Sequence, residues 1–463
     1  MHKTDYFKIT KYLKEIIQNT EYEGHVYVVG GAVRSEIMDE DIKDIDLVVD
    51  LPNGGIGLAN WLKDNGYVSG SVVVYPTYGT AMFHLDKFKE EEIEVVHTRK
   101  EQYKDKNSRN PETEYGTIQE DAMRRDLTIN ALYYNVSTEK YLDVTGNGYK
   151  DILDGLVRVT STPEIVFCDD ALRILRCVRF ATRYDFEIDD DTLMGMKINI
   201  SRLSTITTER INDEFSKILM CGKAWKGLET LFSLGAFDYI FKSNSTVLET
   251  YTDESFRNEV IQVIKDRCRF GYSEENQLIY DNELVNRLAI LLYDFIPSDI
   301  EKLLRGMRYS NDIIDSVLKR RQAMIYVRLN FLWSYRMSDV YKYEYNFGYA
   351  DCVAAFDCAI SMYKMQHPFI AHRNILLKFK ELRDDIWFRG LDNRTMCGFQ
   401  LPINGEDIMR EKNIGPGKSV KNYMLLLMEM IFEMKEPYKV TREQCLNMLQ
   451  HITNENINAI LNS

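Results

Sequence analysis

At 463 residues, 45% of them hydrophobic and 28% charged, the chain is too long for one core and divides by size into roughly three or four globular units. Its net charge of −13 excludes a protein that coats nucleic acid by bulk electrostatics and leaves a local basic cleft as the route to phosphate. No run approaches the ~18 apolar residues of a membrane span, the N-terminal MHKTDYFKITKYLKEIIQNT lacks the apolar centre of a signal peptide, and eight scattered cysteines without a C-x-x-C pair imply reduced cytoplasmic thiols and no zinc site.

Residues 1–20 carry helical apolar spacing (Tyr6, Ile9, Tyr12, Leu13, Ile16, Ile17). HVYVVGG reads as a strand entering a glycine turn, AVRSEIMD as a helix and IDLVVD as a second strand. GLANWLKDNGY predicts a helix closed by Gly66. SVVVY, TAMFHL and EIEVVH predict strands, and LTINALYYNV with YLDV closes this mixed part near residue 140. From about 163 the period is helical, through DDALRILRCVRFATRY, SRLSTITTERINDEFSKILM and KAWKGLETLFSLGAF to YMLLLMEMIFEM. The expected fold class is α+β, a mixed head with a small sheet followed by an all-helical extension.

The chemistry concentrates at Gly30-Gly31, twelve intervening residues, then Asp44-Ile45-Asp46. Strand alternation puts both carboxylates on one face, about 7 Å apart. Such a pair can share two hard cations if substrate phosphates complete the coordination. An Asp-x-Asp alone reads more simply as a solvated strand edge; the glycine turn upstream shifts the balance, because backbone N–H groups there can approach phosphate with no Cβ in the way. Arg34 adds a phosphate contact one helical turn further. Glu92 and Glu94 share a face of a later strand, and Glu94 is the better candidate for a third carboxylate. Asp170, Arg173 and Arg176 recur every three residues, which on a helix places acceptors and donor forks along one side. Such an edge can read the amino group and ring nitrogen of cytosine or adenine, although a salt-bridged helix surface has the same spacing.

The series GGAVRS…DIDLVV, IEVVHTRKEQY, RRDLTINAL and DALRILRCVRFA, in that order, resembles class II CCA-adding enzymes and bacterial poly(A) polymerases of the DNA polymerase β-like nucleotidyltransferase superfamily. TTERINDEFSKIL, IEKLLRGMRYSNDIIDSV and LPINGEDIM extend the resemblance over nearly the whole chain. It implies a catalytic head at 1–140, a nucleotide-recognising neck at 141–225, a helical body at 226–330 and a tRNA-binding tail at 331–463. It implies CTP and ATP as substrates, two Mg²⁺ ions on Asp44 and Asp46, nucleotide contacts from Gly30, Gly31, Arg34 and Arg125 with Asp126 in support, and recognition by Asp170, Arg173, Arg176 and Arg179. The partner is the acceptor arm and 3′ end of tRNA, with no membrane. The expected activity is addition of C, C and A without a template; the alternatives are poly(A) polymerisation and partial addition of CC or A. The polar segment 103–116, with Asp105 and Arg109 as candidate contacts, corresponds to a loop that favours full CCA addition.

Three features depart from the family pattern. Ser35 follows Arg34 where the family usually has Asp, and Asp169 stands where many members have Glu. The tyrosine-rich stretch 333–349 offers either RNA-stacking surfaces or, more simply, helix packing.

Overall fold

A seven-stranded sheet forms in the first of two compact units, Met1–Lys242 and Ser243–Ser463, and its central strands, VYVV and IDLVV, are rich in β-branched residues. The computed structural model describes residues 3–102, 112–242, 244–269, 283–331, 335–366, 373–392 and 394–453. The first unit runs α1 (Lys3–Ile17), β1 (Val26–Val29), α2 (Gly31–Ile37), β2 (Ile45–Val49), α3 (Gly54–Asp64), β3 (Val68–Tyr75), β4 (Thr80–Leu85) and β5 (Phe88–His97). Then come β6 (Arg99–Gln102), β7 (Glu112–Tyr115), α4 (Ile118–Met123), β8 (Leu132–Asn135) and β9 (Lys140–Asp143). The sheet order is β3-β4-β5-β2-β1-β8-β9.

Strand β2 carries the logic of the unit. Ile45, Leu47, Val48 and Val49 are buried, whereas Asp46 is half-buried and Asp44, just ahead of the strand, is exposed. Antiparallel pairing with β1 sets Val29 opposite Asp46. The glycines that follow Val29 are thereby brought beside the Asp pair, although twelve residues separate them in the chain. On its other edge β2 runs parallel to β5, with Asp46 opposite Glu94. Helix α3 packs on this edge with no room to spare, since a Cβ on Gly55 would lie 2.6 Å from the Val96 carbonyl carbon.

Two expectations change here. The strand expected over EIEVVH starts earlier: β5 begins at Phe88 and pairs with β4 from Leu85 to Ala81, and Ile93 and Val95 point into the core. The segment expected as a loop over 103–116 is strand at its end, since β7 pairs antiparallel with β6 in the register Arg99–Tyr115. Asp105 and Arg109 lie outside the described residues.

Beyond β9 the first unit becomes helical, with α5 (Gly148–Asp154), α6 (Pro163–Asp169), α7 (Leu172–Tyr184), α8 (Asp190–Asn199) and α9 (Thr208–Leu219). On α7, Leu172, Leu175, Cys177 and Val178 are buried. The arginines at 173, 176, 179 and 183 follow a spacing of three to four, which keeps them on one stripe.

Among the described residues the secondary structure of the second unit is helical, from Ser245–Thr250 to Arg442–His451. The tyrosine-rich stretch packs in part: within helix Met337–Phe347, Tyr341 and Tyr343 are buried whereas Tyr345 is exposed, and Tyr343 stacks near Tyr326 with ring centroids 5.3 Å apart. Tyr341 joins Ile408, Leu427, Ile431 and Leu449 in one apolar core. Among the described residues no helix is long and apolar enough to cross a membrane.

Candidate active site

A cleft of about 430 Å³ opens in the first unit where β2, the β1–α2 turn, the turn after α4 and helix α7 meet. Its walls include Gly30, Gly31, Arg34, Asp44, Asp46, Arg125, Asp126, Arg176 and Arg179. Nine positions singled out in the sequence thus converge from four separated segments.

The turn is built on Gly30, whose φ of 71° favours glycine, and whose N–H donates to the Leu132 carbonyl at 3.3 Å. Asp46 sits in a crowd of acid. Burial, then the neighbouring Glu94, together with Asp44, push its pKa up to about 6 against the pull of Arg125. Glu94 is exposed on the adjoining strand and acts on Asp46 through its charge. Among the described residues no cluster of three or more His, Cys, Asp or Glu side chains is set to hold a metal ion.

Facing this acid is a framework of arginines, each braced from behind. A capping box starts α4: the Thr117 N–H donates to Glu120 Oε2 at 2.8 Å, and the Glu120 N–H to Thr117 Oγ1 at 3.3 Å. The helix ends in Arg124-Arg125-Asp126. Arg125 donates from Nη2 to Asp121 Oδ2 at 3.0 Å, and the Tyr133 hydroxyl donates to the same oxygen at 2.7 Å. Asp126 accepts from Arg176 Nε at 2.7 Å and from Asn130 Nδ2 at 3.1 Å. Burial raises the proton affinity of Asp126, but Arg176 and then Asn130 outweigh it and hold the carboxyl below its ordinary range.

Arg34 is buried. It donates from Nη1 to Asn130 Oδ1, and its guanidinium lies 5.0 Å from the Phe180 ring centroid and 5.1 Å from that of Tyr184. In a chain with Ser35 in place of the usual Asp, an amide and two rings from α7 hold this arginine. Ser35 itself is buried in the cleft wall.

Asp170 and Arg173 fall elsewhere. The chain is extended at Asp170 (φ −150°, ψ 106°), so this residue joins α6 to α7 and does not share a helical face with Arg173 and Arg176. Its Oδ1 accepts the Leu172 N–H at 3.1 Å, a local bond that starts a new helix, and its Oδ2 pairs with Arg210 at 2.7 Å. Arg173 donates to the Arg124 carbonyl at 2.7 Å, tying α7 to the turn after α4. Asn130, Phe180, Lys43 and Arg183 also line the cleft, and sequence reasoning gave them no role there. The available signals were the Asp126–Asn130 spacing within RRDLTINAL and the continuation of the arginine spacing to Arg183.

Residues 26–158 match the family described as "Poly A polymerase head domain", and residues 185–246 match "Probable RNA and SrmB- binding site of polymerase A". The chain is similar to "tRNA nucleotidyltransferase cca1" of Schizosaccharomyces pombe, 34% identical over 49% of this chain and 48% of that one. It is also similar to a "CCA-adding enzyme" of Ligilactobacillus salivarius, 25% identical over 89% of each chain. The chain spans about half the length of the fungal relatives it matches, 48% and 50% in two of them. Its fold is shared with the Bacillus stearothermophilus CCA-adding enzyme crystallised in complex with CTP, at a TM-score of 0.71 and 17% identity over 99% of both chains. The similarity to these families is confined to residues 26–158 and 185–246, and the similarity to the Ligilactobacillus salivarius CCA-adding enzyme extends over 89% of the chain.

Proposed function

We propose that this chain adds C, C and A to the 3′ end of tRNA from CTP and ATP, without a nucleic-acid template. The observation that carries the reading is the cleft itself. It sets two carboxylates beside a glycine turn at one side and a stripe of braced arginines at the other, in a chain whose net charge is −13. The relatives named as CCA-adding enzymes and tRNA nucleotidyltransferases support the substrate class.

The residues fit a divalent cation. Asp46 is burdened by like charge from Glu94 and Asp44, a donor set that a cation relieves. With no third ligand converging among the described residues, the coordination shell must be completed by phosphate oxygens and water, as hard Mg²⁺ prefers. Asp44 and Asp46 would hold the two Mg²⁺ ions, which would supply positive charge beside the 3′ hydroxyl and the leaving pyrophosphate. Arg34 and Arg125 offer planar donor forks to triphosphate oxygens. Asp121 fixes the direction of Arg125, and Asp126 fixes Arg176, so these donors are in place before the nucleotide arrives. Gly30 and Gly31 leave backbone room for the phosphates. In this reading residues 1–140 form the catalytic head and 141–225 the recognising neck. The body at 226–330 and the tail at 331–463 grip the acceptor arm by shape and backbone, because A-form RNA hides its base edges.

Incorporation of labelled CTP into a tRNA lacking its terminal CCA is expected to stop when EDTA removes divalent cations and to resume when Mg²⁺ is restored. Incorporation that persists in EDTA would contradict the assignment of Asp44 and Asp46.

A further inference from the structure

The arginines that line the cleft are not held alike. Arg125 and Arg176 each pair with a carboxylate, Asp121 and Asp126, at 3.0 and 2.6 Å. Among the described residues Arg34 pairs with none. It is 6% exposed, its Nη1 donates to the Asn130 amide oxygen, and its Nε is buried without a partner. The charge of Asp126 reaches it at one remove, since Asn130 Nδ2 donates to Asp126 Oδ1 at 3.1 Å. A buried guanidinium without an anion is costly, and burial works against its charged form. What holds it is a pair of rings from one face of α7. Phe180 and Tyr184, four residues apart, are stacked with planes 15° apart, and the guanidinium carbon stands 5.0 and 5.1 Å from their centroids. A ring face attracts a cation but leaves its charge unneutralised and its donors unspent, which a carboxylate would not.

We propose that Tyr184 is a positioning residue for the triphosphate: its ring keeps Arg34 in place and leaves that charge free for the incoming phosphates. The inference rests on the nucleotide-transfer reading above. Of the two rings, Tyr184 is the one whose removal can be read cleanly. Phe180 also lies under Arg176 and Arg179, at 5.6 and 4.6 Å from its centroid. Tyr184 has besides Arg34 only its neighbour Arg183, at 5.0 Å. Phosphate is common to every nucleotide, so loss of the Tyr184 ring weakens CTP and ATP alike. The contact serves bound nucleotide and transition state equally, so the loss falls on KM and spares kcat.

The test measures kcat and KM for CTP and ATP on a tRNA lacking its CCA end, for the wild-type chain and Tyr184→Leu. It also measures the Kd of each nucleotide with Mg²⁺ and no tRNA. In Tyr184→Leu both KM and Kd are expected to rise about tenfold for either nucleotide, the scale of one desolvated cation–π contact. The value of kcat should stay within about twofold, and Tyr184→Phe, which keeps the ring, should recover most of the affinity. A lowered melting temperature with KM and Kd unmoved would make Tyr184 a packing residue and overturn the proposal. A rise confined to one nucleotide would mark a contact to the base and overturn it equally. So would Arg183→Met with the same tenfold rise, which would make Arg183 the arginine that the ring serves. If Tyr184→Leu does not fold, Tyr184→Met keeps the apolar volume without the ring and is read in the same way. A wild-type chain that binds CTP and ATP but transfers neither refutes the transfer reading itself. An active wild type with an equally tight-binding Tyr184→Leu refutes only this inference.

Discussion

Asp46→Ala is expected to lower nucleotide transfer by about a thousandfold or more and to leave the fold intact. A cation-binding carboxylate supplies several kcal/mol of transition-state charge stabilisation, and each ~1.4 kcal/mol is tenfold in rate. The effect belongs in kcat, because the triphosphate keeps its contacts to Arg34 and Arg125 and only the charge arrangement of the transition state is lost. Folding should not suffer. Asp46 stands opposite Glu94 on the parallel strand and close to Asp44, so removing it relieves like-charge repulsion at the start of the central strand. A melting temperature at or above the wild type, measured without divalent cations beside the lost activity, is the expected pair of results. Retained activity would remove Asp46 from the chemistry.

Asp121→Asn is expected to act in the opposite manner, through stability. Asp121 is fully buried and accepts from Arg124 Nη2 at 2.6 Å, from Arg125 Nη2 at 3.0 Å and from the Tyr133 hydroxyl at 2.7 Å. Burial alone would raise its pKa, but Arg125 and Arg124, with the hydrogen bond from Tyr133, outweigh it and bring the value to about 2 from an ordinary 3.8. A carboxyl whose folded pKa is depressed adds stability above its unfolded pKa and loses it as pH falls through the folded one. The shift corresponds to about 2.5 kcal/mol, present at neutral pH and lost between about pH 4 and pH 2. Removing the charge leaves two part-buried guanidinium groups without their anion, which costs about 2–3 kcal/mol, though Arg124 keeps the Arg99 carbonyl and Arg125 the Tyr133 hydroxyl. Urea unfolding at neutral pH should show that loss. The gap between variant and wild type should narrow on acidification over this window, and a constant gap would deny that the charge of Asp121 is what matters. Arg125 also loses its orientation toward the cleft, so transfer should fall at temperatures where the variant is still folded.

How much of this was legible in the sequence depended on whether the signal was local. Strand β2 was readable because Ile45, Leu47 and Val49 alternate with Asp44 and Asp46, and the glycine turn because Gly30 needs a conformation other residues avoid. The register that places Val29 opposite Asp46 is a long-range fact that no local pattern encodes. The break at Asp170 was hidden for a different reason. Apolar residues run on from α6 into α7, and the break between the two helices lies in the extended backbone at Asp170, whose side chain accepts the Leu172 N–H. Asn130, Phe180 and Tyr184 escaped notice because each gains its role from a partner distant in sequence, Arg34. The tyrosines of 333–349 carried an ambiguous signal, and the burial of Tyr341 and Tyr343 reads in favour of packing.

The most direct measurement supplies CTP and ATP, separately and together, to a tRNA transcript lacking its terminal CCA and resolves the products at single-nucleotide length. The account predicts cytidine addition with CTP alone, and with both nucleotides an ordered extension that stops after C, C and A. A long adenylate tract from ATP alone, or an end that never grows in any mixture, would contradict it.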